Sequence, residues 1–335
     1  MKDHMGSGGK QSDRDYDFDV VVIGEINVDL VLEGNVIPKF GQKEQIVDQA
    51  NLVVGSSAAI FAFGASRLGL RTAFIGKAGD DLFGTFMLQA MRKRGIDTEG
   101  VVLTSDISTG LSAILTTKND RAILTYPGTI PELQYDEVDF SVLSKARHFH
   151  LSSYYLLDNL RPDIPKLLNK VKQMGLSISL DTNYDPREKW DDELHQALGY
   201  VDVLFPNEVE LQAISGKDST EEAWRSLSET VPILAIKMGE SGAMAKYKGG
   251  SPIYQGAYKM ETADTVGAGD SFDAGFIYGY LNGWSDIKTL QFAVACGSLS
   301  TRESGGTSSQ ADVKEAIETI QNIPLIDNSD LPKNS

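Results

Sequence analysis

One short stretch late in the chain combines a candidate anion site with a candidate base. It covers residues 264–276 and reads Asp-Thr-Val-Gly-Ala-Gly-Asp-Ser-Phe-Asp-Ala-Gly-Phe. The residues that follow predict a helix, which Asn282 and Gly283 would end. Gly267 and Gly269 would therefore lie at a helix N-terminus, where backbone N–H groups lack intrahelical partners and carry the positive end of the dipole. This pattern predicts an anion site that no side chain obstructs.

Asp270 follows this site directly, and its carboxylate would repel a phosphate that stayed bound there. The same carboxylate could accept the proton of a hydroxyl group, while the N–H groups of Gly267, Ala268 and Gly269 stabilise a phosphoryl group in transit. The alternative is a structural role, because an acidic residue in the first turn stabilises a helix. The chemical interpretation predicts transfer of a phosphoryl group to an alcohol.

The stretch resembles the C-terminal signature of the ribokinase-like (PfkB) carbohydrate kinases, and the similarity extends from about residue 19 to residue 325. The residues that carry it are Asp264, Thr265, Gly267, Ala268, Gly269, Asp270, Ala274 and Gly275. The resemblance implies an ATP-dependent kinase that acts on a hydroxyl of a sugar or nucleoside, with Asp270 as the base. Asn27, Asp29 and the Asp-x-Asn stretch that ends at Asn183 favour a small sugar or sugar acid. A nucleoside kinase of the same family is the main alternative, and a non-catalytic sugar-binding regulator is a further one.

The composition is that of an ordinary globular protein with a strong negative charge. Of its 335 residues, 41% are hydrophobic and 23% are charged, and the formal net charge is −16. A surface this acidic argues against nucleic acid and anionic membranes as partners, although a local backbone site and Mg²⁺ can still bind phosphates. The single cysteine cannot form an intrachain disulfide, and no apolar run approaches about 18 residues, so we expect a cytoplasmic protein.

Short apolar strands that alternate with helices predict an α/β fold with a doubly wound, mostly parallel sheet. We expect this ribokinase-like domain to cover residues 18–326, after a lead over 1–17 that is disordered or left from cloning, and before a tail over 327–335. Two segments, about 31–53 and 107–127, instead alternate apolar and polar residues, as half-exposed antiparallel strands do. They predict a small β lid, and its exposed apolar face predicts a homodimer.

Polar residues at the ends of the predicted strands form the candidate substrate site. Asn27 and Asp29 follow the first buried strand, at the edge where open α/β sheets bind ligands. The resemblance implies that these two residues hold the sugar hydroxyls. It implies further substrate contacts at Gly55, Ser56, Ser153, Asn183 and Asp270. Ser56 and Ser57 would replace an asparagine that relatives carry nearby.

Two further segments resemble the metal and phosphate sites of the family. Asn207 and Glu210 match an Asn-x-x-Glu motif, in which the Glu orders the water shell of Mg²⁺ and the Asn lies near the phosphates. Lys237, Gly239 and Gly242 match the loop whose glycines let the backbone approach the nucleotide.

The last part of the chain completes the implied nucleotide site. Val294 stands on a helix that walls the adenine pocket in relatives, and the loop containing Gly306 would contact the nucleotide. Together with Asp264, this loop binds a monovalent cation in some relatives. The expected cofactors are therefore ATP and Mg²⁺, with K⁺ as a possible activator.

Two other nucleotide-binding classes fit the sequence less well. Gly267-Ala268-Gly269 could begin the G-x-G-x-x-G fingerprint of a dehydrogenase, but Phe272 stands where the third glycine belongs. A Walker-type NTPase needs Ser or Thr after a Gly-Lys pair, and no such pair in the chain has one.

Overall fold

The computed structural model describes residues 16–117, 120–190 and 192–326, which form two β-sheets with helices around the larger one. The strands are β1 (Phe18–Ile23), β2 (Asn27–Glu33), β3 (Gln49–Val54), β4 (Thr72–Gly79), β5 (Val101–Thr104), β6 (Gly110–Thr116), β7 (Arg121–Tyr126), β8 (Ala146–Ser152), β9 (Ser177–Asp181), β10 (Val203–Leu204), β11 (Ile233–Lys237), β12 (Ala243–Tyr247) and β13 (Ile253–Gln255). The helices are α1 (Ser57–Arg67), α2 (Leu82–Lys93), α3 (Phe140–Leu143), α4 (Ile164–Gln173), α5 (Asp192–Leu198), α6 (Glu208–Ser215), α7 (Thr220–Leu227), α8 (Ala268–Leu281), α9 (Asp286–Ser300) and α10 (Val313–Asn322).

Both ends of the chain extend beyond the described part. Of the expected lead over 1–17, residues 1–15 lie outside the described residues, as does the expected tail over 327–335. Asp17 lies within them, and its amide donates a hydrogen bond to the carbonyl of Lys145. Within the described ranges, no helix is both long and apolar enough to cross a membrane.

The larger sheet has nine strands in the order β13-β12-β11-β10-β9-β8-β1-β4-β5. All pairs from β11 to β5 are parallel, whereas β12 and β13 pair antiparallel at one edge. From β1, the chain proceeds outward to β4 and β5 on one side, and later to β8, β9 and β10 on the other. This reversal beside β1 is the switch point at which doubly wound sheets bind ligands. The predicted fold class is confirmed.

Strand β1 shows why the sheet is buried on both faces. Val20 and Val22 pack into one hydrophobic core with residues of α1, α8 and α9, while Val21 and Ile23 pack into a second core with residues of α4 and α5. All four side chains are fully buried. Because successive side chains of a strand point to opposite faces, this continuous apolar run requires helices on both sides.

The smaller sheet has four strands in the order β3-β2-β6-β7. Its outer pairs, β2 with β3 and β6 with β7, are antiparallel as expected, but the central pair of β2 and β6 is parallel. The antiparallel prediction was wrong for this pair, because it joins two hairpins that lie far apart in sequence. The sheet also begins at Asn27, so Asn27 and Asp29 lie on a strand of the lid and not in the loop after β1.

Candidate active site

Two cavities meet at the N-terminus of α8. The first, which we call the lid cavity, has a volume of about 570 Å³ and is lined by nine of the predicted residues: Asp29, Asn183, Asn207, Glu210, Lys237, Gly239, Gly267, Gly269 and Asp270. The second, which we call the rear cavity, has a volume of about 400 Å³ and is lined by six: Lys237, Gly239, Gly242, Ala268, Gly269 and Val294. Four residues line both cavities and mark their junction: Lys237, Gly239, Thr265 and Gly269.

The first turn of α8 leaves backbone donors available to an anion. Gly267 is the N-cap with a left-handed φ of 73°, and a Cβ there would lie 2.7 Å from the Cα of Gly306. The amide of Ala268 already donates to the carbonyl of Thr265 at 3.3 Å. The amides of Gly269 and Asp270 make no backbone hydrogen bond within the described chain. The amide of Gly267 makes none either, so the donors left free are those of Gly267, Gly269 and Asp270, and not that of Ala268.

Asp270 is a buried carboxyl group beside these donors, with 8% of its surface exposed. Burial raises the pKa of Asp270 to about 8, and the carboxylates of Asp181 and Glu25 act in the same direction, while Lys237 and a hydrogen bond from Ser57 oppose them. Ser57, one of the two serines expected to replace the missing amide, thus contacts the candidate base. A carboxyl group that takes up a proton this readily near neutral pH suits general base catalysis.

Asp29 lines the lid cavity, whereas Asn27 and Gly55 hold it in place. The side-chain amide of Asn27 donates to Oδ1 of Asp29 at 3.0 Å. A Cβ at Gly55 would lie 2.5 Å from the same oxygen, so a larger residue there would displace the side chain of Asp29. Burial raises the pKa of Asp29 to about 6, and the charge of Glu25 adds to this effect. At neutral pH, Asp29 is mostly ionised and can accept hydrogen bonds from hydroxyl groups.

Ser56 and Ser153 are buried behind the lid cavity. Ser56 caps α1 by accepting a hydrogen bond from the amide of Ala59 at 2.9 Å, and its hydroxyl donates to the carbonyl of Glu25 at 2.6 Å. Ser153 accepts a hydrogen bond from the side-chain amide of Asn183 at 2.7 Å. Neither serine is among the residues that line the lid cavity. Their positions fix the loop after β1 and the side chain of Asn183.

The sequence analysis did not predict the buried ion-pair cluster at the junction of the two cavities, which consists of Lys237, Asp181 and Asp273. Nζ of Lys237 lies 2.8 Å from Oδ2 of Asp181 and 3.4 Å from Oδ2 of Asp273. The lysine side chain is 17% exposed, and those of the two acids are 2% and 1% exposed. Lys237 was expected to belong to the nucleotide loop, yet its charge is largely engaged by these carboxyl groups. One feature of the sequence could have indicated the cluster: Asp270 and Asp273 are at positions i and i+3, which places both on one face of α8.

The two acids of this cluster differ in protonation. Burial opposes ionisation of Asp181, but Lys237 and a hydrogen bond from Asp273 lower its pKa below the usual value. Burial raises the pKa of Asp273 well above its usual value, more than the charge of Lys237 can offset. Lys237 thus favours the ionised form of Asp181, whereas burial favours the protonated form of Asp273. Oxygens of Asp181, Asp270 and Asp273 lie within 4.8 Å of one another, and Lys237 already supplies a positive charge there.

Asn207 and Glu210 form a capping box at the start of α6. The amide of Asn207 donates to Oε2 of Glu210 at 2.9 Å, and the amide of Glu210 donates to Oδ1 of Asn207 at 2.9 Å. Burial raises the pKa of Glu210 to about 7, and the charge of Asp181 adds to this effect. A cation in the lid cavity would stabilise the ionised form of Glu210. A single buried carboxylate fits Mg²⁺, which keeps several of its own waters.

Asp264 fits a monovalent cation poorly. Its Oδ1 accepts a hydrogen bond from the amide of Val266 at 3.0 Å, and its Oδ2 accepts one from the amide of Gly305 at 3.2 Å. The guanidinium of Arg121, on the lid, lies 3.6 Å from the same Oδ1. Gly306 lines neither cavity; a Cβ there would lie 2.5 Å from Ile60, so it serves close packing beside Gly267.

The rear cavity is mainly apolar and opens onto the anion site. Its lining includes the side chains of Tyr258, Met260, Phe272 and Val294. Gly242 has a φ of 94°, and a Cβ there would lie 2.0 Å from the carbonyl oxygen of Gln255. A flat apolar ring suits such a cavity, whose lining extends to Ala268 and Gly269 in the first turn of α8.

Three comparisons place the chain among known proteins. The sequence pattern of the pfkB family carbohydrate kinases matches residues 17–313. The 5-dehydro-2-deoxygluconokinase of Geobacillus thermodenitrificans is 29% identical over 303 residues, which cover 86% of this chain and 88% of that protein. The nucleoside kinase of Methanothermobacter thermautotrophicus is 29% identical over 304 residues, which cover 90% of this chain and 95% of that protein.

The chain shares its fold with a solved protein structure. An E. coli protein provisionally called ribokinase II, solved with ATP and Mg²⁺, superposes with a TM-score of 0.79 at 25% identity, covering 91% of this chain and 99% of that one. The family predicted from the sequence is thereby confirmed. The chain belongs to the pfkB family of carbohydrate kinases, and its activity is the ATP-dependent phosphorylation of a carbohydrate.

Proposed function

We propose that the enzyme transfers the γ-phosphoryl group of ATP to a hydroxyl of a small sugar or sugar acid in the lid cavity. The observation that carries this proposal is the junction of the two cavities, where Asp270 lies beside the free amides of α8. The similarity to a 5-dehydro-2-deoxygluconokinase supports this acceptor class. A nucleoside acceptor is the second candidate, because a nucleoside kinase matches the chain equally well.

The proposed reaction needs one proton acceptor for the attacking hydroxyl, and one set of hydrogen-bond donors for the negatively charged phosphoryl group. As the acceptor oxygen attacks the γ-phosphorus, its proton passes to Asp270, and the bond from that phosphorus to the bridging oxygen of ADP breaks. The amides of Gly269 and Asp270 stabilise the negative charge on the phosphoryl oxygens during transfer. The ionised Asp29, held by Asn27, orients the acceptor by accepting hydrogen bonds from its other hydroxyls. Asn183 supplies a further polar contact.

ATP would lie in the rear cavity with its base against the apolar side chains and its phosphates at α8. Glu210 and Asn207 would hold Mg²⁺ through its water shell on the lid-cavity side. Bound Mg²⁺ would offset the charge of the phosphates. K⁺ is not part of the proposal, because amide donors and Arg121 already engage Asp264. We also propose a cytoplasmic location, where ATP is abundant and the single cysteine stays reduced.

A panel of acceptors tests the proposed class. ADP release should be measured with sugars, sugar acids and nucleosides at saturating ATP and Mg²⁺, and the products should be identified by mass spectrometry. We expect a phosphorylated sugar or sugar acid to form with the highest kcat/KM of the panel. A nucleoside that exceeds every sugar by tenfold or more would replace the proposal with its second candidate.

Replacing Glu210 by glutamine should raise the Mg²⁺ concentration needed for half-maximal activity, by roughly tenfold. The amide lacks the charge that orders the metal's water shell, but it can still accept the capping hydrogen bond. Glu315→Gln is the matched control, because Asp312 and Glu315 form the same capping box at the start of α10. Equal Mg²⁺ titrations for Glu210→Gln and Glu315→Gln would assign Glu210 to a capping role alone.

We further propose that two copies of the chain associate through the outer face of the lid. On the face opposite the cavity, Leu52, Leu30, Ala113 and Leu124 form one row across all four strands. Leu52 is 38% exposed and Leu124 is 63% exposed. An apolar row of this extent on a sheet with free edges favours burial against a second copy.

The substitution Leu124→Lys should convert this dimer to a monomer, because it places a charge within the apolar row. Light scattering at micromolar concentration should give twice the chain mass for the parent and the single chain mass for the variant. Leu103→Lys is the control, since Leu103 is 51% exposed on β5, the edge strand of the other sheet. A parent protein with the mass of one chain would contradict the dimer.

A further inference from the structure

Glu25 is a buried acid behind the lid cavity, and no step proposed above uses it. It stands two residues after the end of β1 and is 3% exposed. It lines neither cavity, yet its charge adds to burial in raising the pKa of both Asp29 and Asp270, which line the lid cavity from different elements. A carboxyl group is costly to bury, so its place so close to both residues requires an explanation.

The carboxyl group of Glu25 is tied to the start of α1. Its Oε1 accepts a hydrogen bond from the amide of Ser57 at 2.8 Å. Burial raises the pKa of Glu25, and the hydroxyl of Ser153 lies near enough to oppose this effect. Oε2 nevertheless has no hydrogen-bond partner of good geometry among the described residues. The contact that fixes the carboxyl group is therefore the one with Ser57.

The backbone around this contact is held in place by close packing and by a second hydrogen bond. Ser56 has a φ of 71° and a ψ of 118°, outside the regions that residues with a side chain ordinarily occupy. Its hydroxyl donates to the carbonyl of Glu25 at 2.6 Å. A Cβ at Gly24 would lie 2.2 Å from the Cβ of Ala58. The loop after β1 and the first turn of α1 therefore fix one another, and strain of this kind concentrates at functional sites.

Ser57 connects this contact to the candidate base. It lines the lid cavity together with Asp270. Its hydroxyl hydrogen-bonds Asp270 and lowers the pKa of that group, against the larger effect of burial. The helix does not depend on Glu25 for its cap, because Ser56 is the N-cap and accepts a hydrogen bond from the amide of Ala59. The bond between Glu25 and the amide of Ser57 thus fixes the side chain that meets Asp270.

We propose that Glu25 is a positioning residue, which holds Ser57 so that the hydroxyl of Ser57 orients the carboxyl group of Asp270 toward the acceptor. This inference rests on the proposed function, because it takes Asp270 to be the base. Glu25 contacts neither ATP nor the acceptor and acts through Ser57. Removing such a group lowers the rate of transfer more than the affinity for ATP, because a misplaced base weakens only the transition state.

Kinetics of the whole protein with ATP, Mg²⁺ and the panel acceptor of highest kcat/KM test this role. We expect Glu25→Met, which cannot hold the amide of Ser57, to lower kcat by roughly 10- to 100-fold. Its affinity for ATP, measured by calorimetry, should change less than about twofold. Glu25→Gln keeps an acceptor oxygen for that amide and should retain kcat within about threefold. Asp202→Asn is the control, because Asp202 also accepts a backbone amide, that of Ile178 at 2.7 Å, but lines neither cavity.

A double-mutant cycle shows whether Glu25 acts through Ser57. Ser57→Ala keeps the backbone amide, removes the hydroxyl and should lower kcat by roughly tenfold. In that background, the further change Glu25→Met should cost less than about threefold, because the link to Asp270 is already lost. A further loss as large as the one in the parent background would overturn the inference.

Other outcomes would contradict the inference without touching the proposed function. A kcat of Glu25→Met equal to that of Asp202→Asn would overturn it, as would equal losses in Glu25→Met and Glu25→Gln, because the hydrogen bond would not be the cause. If Glu25→Met does not fold, Ser57→Ala decides, since a kcat equal to the parent's would overturn the inference and the expected loss would support it. A parent protein that phosphorylates no acceptor of the panel would overturn the proposed function as well.

Discussion

Replacing Asp270 by asparagine is expected to lower kcat by roughly 10²–10⁴-fold while changing the affinity for ATP little. The amide keeps the size of the side chain but cannot accept the proton of the attacking hydroxyl. Burial and the neighbouring carboxylates already favour the neutral form of Asp270, with a pKa of about 8. The neutral asparagine should therefore be accommodated without loss of stability. Turnover by the variant, its thermal melting and its binding of ATP are the measurements.

A purely structural role for Asp270 would give the opposite pattern, with lower stability and little change in kcat per folded molecule. Asp286→Asn is the control for this alternative, because Asp286 is the acidic residue in the first turn of the neighbouring helix α9. We expect Asp286→Asn to keep the parent's turnover. If folded Asp270→Asn retains turnover within about threefold of the parent, Asp270 is not the base.

Replacing Lys237 by methionine is expected to lower the free energy of unfolding by about 3–5 kcal/mol, because it leaves the charge of Asp181 buried without a partner. In a chain of this size, this corresponds to a fall in Tm of about 4–7 °C. The loss should also raise the pKa of Asp181, since burial would no longer be opposed by the lysine. Thermal melting near pH 7 measures the effect.

Lys172→Met is the matched control, because Lys172 pairs with Asp202 at 2.5 Å but both side chains are more exposed, at 33% and 24%. This variant should lose much less stability than Lys237→Met. Adding Asp181→Asn to Lys237→Met should restore part of the lost stability, because it removes the unpaired charge. Equal melting of the two lysine variants would show that burial of the cluster has no energetic consequence.

Local sequence patterns were enough to predict the fold class and the helix that carries Asp270. The apolar run of β1 and the glycines at the start of α8 predict the local structure of their own segments. They do so because burial and helix capping require particular residue types at fixed spacings. The same reasoning identified Asp29 and Asp270, and the family resemblance identified Glu210; all three line the lid cavity.

Contacts between distant segments were beyond that reasoning. The pairing of Lys237 with Asp181 depends on two strands and a helix meeting at one sheet edge, and no local spacing encodes their separation. Two other contacts could not be predicted for the same reason: the parallel pairing of β2 with β6, and the approach of Arg121 to Asp264. Ala268 fits the anion motif in sequence, yet its amide is satisfied by Thr265, which only the backbone geometry reveals.

The pH dependence of kcat/KM for the acceptor, measured in the parent and in Asp270→Asn, tests the role of the base most directly. Asp270 must be ionised to accept a proton, and its pKa is about 8 in the ligand-free protein. The parent's kcat/KM should therefore fall by about tenfold per pH unit on the acid side of the pKa of Asp270. The variant, at its lower rate, should lack this acid limb. The same acid limb in both proteins would contradict the assignment of Asp270 as the base.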